Sequence, residues 1–279
     1  MSRLFTENLR ISYGDYDIVK NLNMDIPDGK ITTIIGPNGC GKSTVLKTLS
    51  RILTAKSGTV YLDGKQITKE STKRIAQKMA ILPQSPDAPE GLTVAELVSY
   101  GRYPYQKGIG TLKDRDREVI EWALRVTGIS AFKHRAVDSL SGGQRQRVWI
   151  AMALAQETDI ILLDEPTTYL DLSHQLEVLE LLKYLNDMEK RTIVMVIHDL
   201  NHAARFADHM VAMKYGDIIK EGNAEEVMTS EVLRNVFNID AEIGIDPRTG
   251  KPICLTYDLL KREQKTAGLE AKKEEVYFF

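Results

Sequence analysis

Cysteine is almost missing from this sequence: Cys40 and Cys254 are the only two in 279 residues. Two distant thiols supply neither a disulfide framework nor a cysteine metal site, and Cys40 lies in a glycine-rich loop, which suits a reducing compartment. Long apolar runs are missing too. Stretches such as Ile193 to Ile197 fall far short of the roughly 20 apolar residues of a membrane helix, so this polypeptide is not expected to cross a bilayer. Neither sign of charge dominates: 37 Lys and Arg against 39 Asp and Glu leave a formal charge of -2. With no basic block either, nucleic acid is not an expected partner. The first residues, Met1 to Glu7, lack the apolar core of a signal peptide, and there is no internal repeat or low-complexity linker. What is present is 43% hydrophobic residues, enough to bury a large core. The expectation is a soluble, globular, cytoplasmic protein.

Hydrophobic periodicity orders the chain. Leu9, Ile11 and Tyr13, then Leu22, Met24 and Ile26, alternate as half-buried antiparallel strands do. Thr59 to Leu62 run into Asp63-Gly64, a hairpin turn signal. Ile31 to Ile35, Ile160 to Leu163 and Ile193 to Ile197 are apolar throughout, as strands of a parallel sheet covered on both faces are. Each leads into a polar or glycine-rich element: Gly36, Asp164-Glu165 and His198-Asp199. Ligands of open α/β sheets sit beyond the carboxyl ends of the strands, so these three elements are expected on one sheet edge. Between the first and second of those strands the period becomes helical, at Val94-Leu97-Val98, at Val119 to Val126 and at Val148 to Ala155, so residues 87–157 read as a helical insertion. Val211 to Met213 and Ile218-Ile219 flank Tyr215-Gly216-Asp217 as a second hairpin. The end, residues 261–279, is charged and unpatterned and is expected to be frayed or disordered.

Gly36-Pro37-Asn38-Gly39-Cys40-Gly41-Lys42-Ser43 is a full match to the phosphate-cradling pattern. Glycines let successive backbone N–H groups close around an anion at a helix N-terminus. Lys42 brings charge to the β and γ phosphates, and Ser43 an oxygen to Mg²⁺. The helix after the loop carries one apolar stripe through Val45, Leu46, Leu49, Ile52 and Leu53. Asp164 ends a buried strand, which suits a carboxylate holding Mg²⁺. Glu165, adjacent and facing the other way, suits the base that deprotonates the attacking water. Taken alone, Asp164-Glu165-Pro166 could equally be a solvated acidic turn. His198 at a strand end could be purely structural, but on the same sheet edge an imidazole can donate to the γ-phosphate and register its presence. Tyr13 could be core, yet a phosphate loop binds no base, and some ring has to stack on adenine. Ser141-Gly142-Gly143 opens a second helix as an anion site or simply as a cap.

With these motifs in order, and with Leu140-Ser141-Gly142-Gly143-Gln144 between them, the chain resembles the ATP-binding cassette (ABC) ATPases over residues 1–260. The resemblance implies one domain: a P-loop NTPase (RecA-like) α/β core with an N-terminal antiparallel β subdomain and the inserted helical subdomain. It assigns Tyr13 to adenine stacking and Gly36 to Ser43 with Thr44 to the Walker A loop. Gln84 would link γ-phosphate and metal to the transport subunit, while Asp164 and Glu165 would be Walker B and the catalytic base. His198 would be the switch histidine and Asp171 the D-loop aspartate, with Tyr169 where a small residue is commoner. Ser141, Gly142, Gly143 and Gln144 would bind the γ-phosphate held by a second copy, which explains the spare anion site by a head-to-tail homodimer burying two Mg-ATP.

A finer likeness is to cassettes of type II importers for iron(III)-siderophores, haem and cobalamin. It rests on Leu92-Thr93-Val94, Gly101-Arg102-Tyr103-Pro104-Tyr105, Leu170 to Gln175 and His198 to Ala203. Its implications are siderophore import, two polytopic permease subunits, an extracellular or periplasmic binding protein, and a peripheral place on the cytoplasmic face of the membrane. Cobalamin or haem cargo stays open, because the cassette never touches the cargo. A soluble ABC protein acting on ribosomes or DNA would usually carry two cassettes or a long coiled-coil insertion. A regulatory module without turnover is disfavoured by intact Lys42, Glu165 and His198.

Overall fold

The computed structural model describes residues 2–106, 112–168 and 170–260. The N-terminal alternation forms the hairpin β1 (Leu4–Tyr13) and β2 (Tyr16–Ile26). After β3 (Ile31–Ile35) and α1 (Lys42–Leu49), β4 (Ser57–Leu62) and β5 (Lys65–Gln66) complete an antiparallel sheet in the order β2-β1-β4-β5. Asp63 at φ 52° and Gly64 at φ 72° make the turn between β4 and β5, the double left-handed conformation that an Asp-Gly pair supplies.

Beyond α2 (Thr72–Ala76), β6 (Met79–Leu82) joins the second sheet. Three helices follow, α3 (Val94–Ser99), α4 (Asp114–Val126) and α5 (Gly142–Ala155), and α3 and α4 both pack on α5. Then come β7 (Ile160–Asp164), α6 (Leu172–Glu189), β8 (Thr192–Val196) and α7 (Leu200–Phe206). The hairpin β9 (His209–Lys214) and β10 (Asp217–Gly222) closes a sheet ordered β10-β9-β3-β8-β7-β6, parallel except for β10. The short helices α8 (Ala224–Val227) and α9 (Ser230–Phe237) lead to a separate hairpin, β11 (Ile239–Ile245) and β12 (Pro252–Leu259).

The three apolar strands are buried along their whole length, as their composition required. Their two faces feed two different cores. Ile31, Ile161, Leu163, Ile193 and Met195 pack with α3–α6, while Ile34, Ile160, Leu162, Val194 and Val196 pack with α1 and the antiparallel sheet. The sheet is thus the layer that joins both halves. All three strands end on the same edge, at Ile35, Asp164 and Val196.

One expectation fails: the apolar stripe of α1 does not run on to Ile52. The helix stops at Leu49 because Arg51 takes φ 62°, with N–H bonds from Arg51 to Thr48 O (3.0 Å) and from Ile52 to Lys47 O (2.9 Å). That is a Schellman stop made without glycine, and it leaves Ile52 59% exposed. The β11–β12 hairpin and helices α6–α9 had no counterpart in the sequence reading. The charged tail, residues 261–279, lies outside the described residues.

Candidate nucleotide site

The loop after β3 is shaped by contacts that no side chain could make. A Cβ on Gly36 would stand 2.3 Å from Met213 O and 2.9 Å from Cys40 Sγ. Gly39 and Gly41 take φ 75° and 106°, in the range that favours glycine. Cys40 is buried, which pushes its thiol pKa up, and its carbonyl accepts the Gly216 N–H at 2.9 Å. The β9–β10 turn therefore buttresses the loop from behind. Pro37 shapes the loop, and Asn38 and Gly39 sit at its exposed crest. Lys42, only 5% exposed, donates through Nζ to Gly36 O (2.8 Å) and Pro37 O (3.0 Å). Asn38, Gly39, Gly41, Lys42, Ser43 and Thr44 line one wall of a pocket of about 580 Å³; Gln84, Glu165, Thr168 and His198 line the other, and Ile18 of β2 closes one side.

The neighbouring carboxylates have opposite surroundings. Asp164 is 2% exposed; its Oδ1 accepts the Ser43 hydroxyl at 2.7 Å, and its Oδ2 is buried without a partner. Burial raises its pKa, against the pull of the Ser43 bond and the charge of Lys47. Glu165 takes φ 53°, which swings its side chain away from Asp164. Its carboxylate pairs with His198 Nε2 (2.6 Å) and accepts from Gln84 Nε2 (2.6 Å) and Thr168 Oγ1 (3.0 Å). Burial pushes this carboxyl up, but the three donors outweigh it and hold its pKa below the ordinary glutamate range. The carboxylate is thus ionised and fixed by three donors at the rim of the pocket, and those same donors lower its basicity.

Tyr13 is 52% exposed near the tip of the β1–β2 hairpin, the strand pair that also carries Ile18 against Gly41. Ser141, Gly142, Gly143 and Gln144 are not in the pocket. Ser141 caps α5, accepting the Gln144 N–H (3.3 Å), while Gln144 Oε1 accepts the Ser141 N–H (3.2 Å). Around Gly142 there is no heavy atom within 4 Å of an added Cβ, and Gly143 faces the His174 ring. That ring meets Asp171, whose carboxylate caps α6 and is drawn down to a pKa of about 2, chiefly by the His174 N–H, then by the Ser173 hydroxyl and the His174 side chain. Tyr169 lies outside the described residues.

The fold therefore gathers Gly36–Thr44, Gln84, Asp164, Glu165 and His198 and leaves Ser141–Gln144 and Asp171 elsewhere on the surface. Sequence reasoning missed Thr168 as a partner of Glu165 and Ile18 as a pocket wall. The first had a signal in its place three residues after Glu165 within a Pro-Thr-Thr turn. The second had none, since its position depends on the packing of two sheets.

Residues 19–168 match the family model described as ABC transporter. The chain is 65% identical over 265 residues to the iron(3+)-hydroxamate import ATP-binding protein FhuC of Bacillus subtilis (strain 168), covering 95% of this chain and 98% of that protein. It is 54% identical to the probable siderophore transport system ATP-binding protein YusV of the same organism, covering 92% and 94%. Among solved structures it superimposes on a metal-chelate type ABC transporter in an inward-facing conformation, with TM-score 0.78, 30% identity, and 91% and 96% coverage. It also superimposes on a dimeric bacterial ABC transporter cassette, with TM-score 0.71, 30% identity, and 79% and 98% coverage. Phosphate loop, paired carboxylates and helix-capping pentapeptide, met in this order on this fold, agree with all of these: the chain belongs to the ABC transporter family and is an ATP-hydrolysing, ATP-binding cassette.

Proposed function

We propose that this cassette energises the import of iron(III)-siderophore complexes. The observation that carries the reading is 65% identity, over 95% of the chain, to an iron(3+)-hydroxamate import ATP-binding protein. Residues 1–260 act as one unit, with the helices of 87–157 as its inserted part. Two polytopic permease subunits are the partners, served by an extracellular or periplasmic binding protein. No helix among the described residues is long and apolar enough to cross a membrane. The cassette sits on the cytoplasmic face by docking to those subunits.

Within the site, Gly36 to Thr44 cradle the phosphates, Lys42 neutralises β- and γ-phosphate charge, and Tyr13 stacks on adenine. Ser43 and Asp164, with Gln84, would hold Mg²⁺, which supplies charge neutralisation on the phosphates. The buried, unpartnered Asp164 Oδ2 beside the Ser43 hydroxyl fits a cation there. Oxygens of the phosphates and of water would supply its remaining ligands. Glu165 takes the proton of the attacking water. His198, bonded to Glu165 at the pocket rim, orients that carboxylate and registers the γ-phosphate. Ser141, Gly142, Gly143, Gln144 and Asp171 serve the ATP of a second copy in a head-to-tail dimer. Their separation from the chain's own pocket supports that role.

The test is uptake in a strain lacking this chain, under iron limitation, with defined siderophores supplied singly. Loss of growth on at least one hydroxamate siderophore, restored by wild type but not by Glu165→Gln, is the expected result. Unchanged siderophore use with failed haem or cobalamin uptake would overturn the cargo while leaving the cassette intact.

A further inference from the structure

A second cavity lies away from the nucleotide pocket, where the β11–β12 turn folds over α7. It measures about 310 Å³ and is walled by His202 and Arg205 from α7 and by Asp246, Arg248, Thr249 and Lys251 from the turn. Three cations thus face a single carboxylate. That carboxylate is already engaged: Asp246 Oδ1 accepts the Arg248 main-chain N–H (3.0 Å), and Oδ2 accepts the Thr249 hydroxyl (2.7 Å). Both bonds draw its pKa down and spend it on shaping the turn. Arg205 reaches Glu180 at 3.3 Å with one nitrogen. The Arg248 side chain is exposed at the rim.

Two groups in this cavity lack what their chemistry asks for. His202 Nδ1 is sealed from solvent and finds no hydrogen-bond partner among the described residues, a state that costs free energy unless something fills it. Lys251 is half-buried, with Nζ on Ala207 O at 2.5 Å, and burial pushes its pKa down. That burial outweighs the charges of Asp208 and Glu225 nearby, and Lys183 adds to it, so a partly desolvated ammonium here is stabilised further by an anion.

We propose that this cavity is a binding site for a small phosphate-bearing anion, held by Arg205, Arg248 and Lys251. Guanidinium forks suit tetrahedral oxyanions. With water occupying about 30 Å³ per molecule, the cavity takes a phosphate and a short attached carbon chain. Two clasps already join the two walls: the Lys251 bond to Ala207 O at the end of α7, and the pair in which Asn201 Nδ2 donates to Cys254 O (3.1 Å) and Asn201 Oδ1 accepts the Cys254 N–H (2.8 Å). The anion is a further, removable clasp between the hairpin and the helix that starts two residues after His198. This site does not depend on the cargo proposed above.

The test is equilibrium dialysis of the full chain with labelled inorganic phosphate and, separately, glycerol phosphate. Saturating Mg-ADP keeps the phosphate loop filled. One equivalent is expected to bind, with Arg248→Glu weakening it roughly tenfold or more, as losing a charge-assisted contact does, and Arg248→Lys retaining most of it. Arg205→Gln gives the same readout should Arg248→Glu fail to fold. Co-sedimentation with phosphatidic acid vesicles but not phosphatidylcholine vesicles, abolished by Arg248→Glu, would assign the phosphate to a lipid headgroup. Binding left unchanged by both substitutions, or no binding of any of these probes, overturns the proposal.

Discussion

Lys42 keeps its ammonium inside the loop it serves, on Gly36 O and Pro37 O, so the charge is already aimed before any phosphate arrives. Lys42→Ala removes a charge-assisted contact of roughly 1.5–3 kcal/mol. ATP affinity should fall by about ten- to a hundredfold; equal binding by wild type and variant in an equilibrium titration would remove the loop from the site. Asp164 sits in the opposite situation, since burial makes its charge a liability. Its folded pKa lies above the unfolded one, so folding takes up a proton, and stability contributed by this group falls as pH rises through that window. Asp164→Asn should therefore melt higher than wild type at pH 7 while losing Mg-dependent hydrolysis. The gap in Tm should close as pH falls below about 4, the ordinary aspartate range. A variant that melts lower at pH 7 would contradict the buried-charge account.

The element that ties the helical segment together is the 3₁₀ stretch Tyr100–Tyr105. Arg102, 3% exposed, bonds Asp116 Oδ1 (2.9 Å) at the start of α4, and Ala155 O (2.8 Å) and Glu157 Oε2 (2.8 Å) at the end of α5. Tyr105 adds a bond from its hydroxyl to Gln156 O at 2.9 Å. Gly101 lies so close to α5 that a Cβ would stand 2.3 Å from Met152 O and 2.9 Å from Ala155 Cβ. Gly101→Ala should thus force α5 outward at a cost of about 1–3 kcal/mol, read as a Tm lowered by several degrees; an unchanged Tm would mean that the contact yields freely. At the other end of α5, Ser141→Ala removes a cap worth about 1 kcal/mol, so stability should drop modestly while ADP binding in the chain's own pocket holds. Loss of ADP binding in that variant would contradict the separation of Ser141 from the pocket.

At the scale of the whole molecule, Ser141–Gln144 stand outside the pocket that holds Lys42 and Glu165. Glu165→Gln keeps the shape of the carboxylate but cannot accept the proton of water, so hydrolysis should slow by roughly 10² to 10⁴. With ATP held uncleaved, this variant should form a long-lived dimer, where wild type dimerises transiently. Size exclusion with light scattering, with and without ATP, is the measurement. A second change, Ser141→Arg, should dissolve that dimer; a dimer that persists would sink the shared-site reading.

Much of this protein was legible as sequence because the signals were local. Glycine at Gly36, a strand apolar on both faces before Asp164, and Ser141 three residues ahead of Gln144 each carry their own physical requirement, met within a few residues. Asp63-Gly64 fixed its turn by backbone preference alone. Other features were decided only in three dimensions. Whether α1 ended at Leu49 or ran on to Ile52 depended on Arg51 adopting a left-handed conformation. Ile18 reached Gly41 only because the antiparallel sheet packs over the loop. Thr168, Gln84 and His198 come from three separate segments, yet they converge on one carboxylate. Hydrophobic period tells a residue which face it occupies but not which distant segment will share that face. That choice belongs to the packing of the sheet between its two cores, where burial of the strands from both sides brings remote strand ends to a common edge.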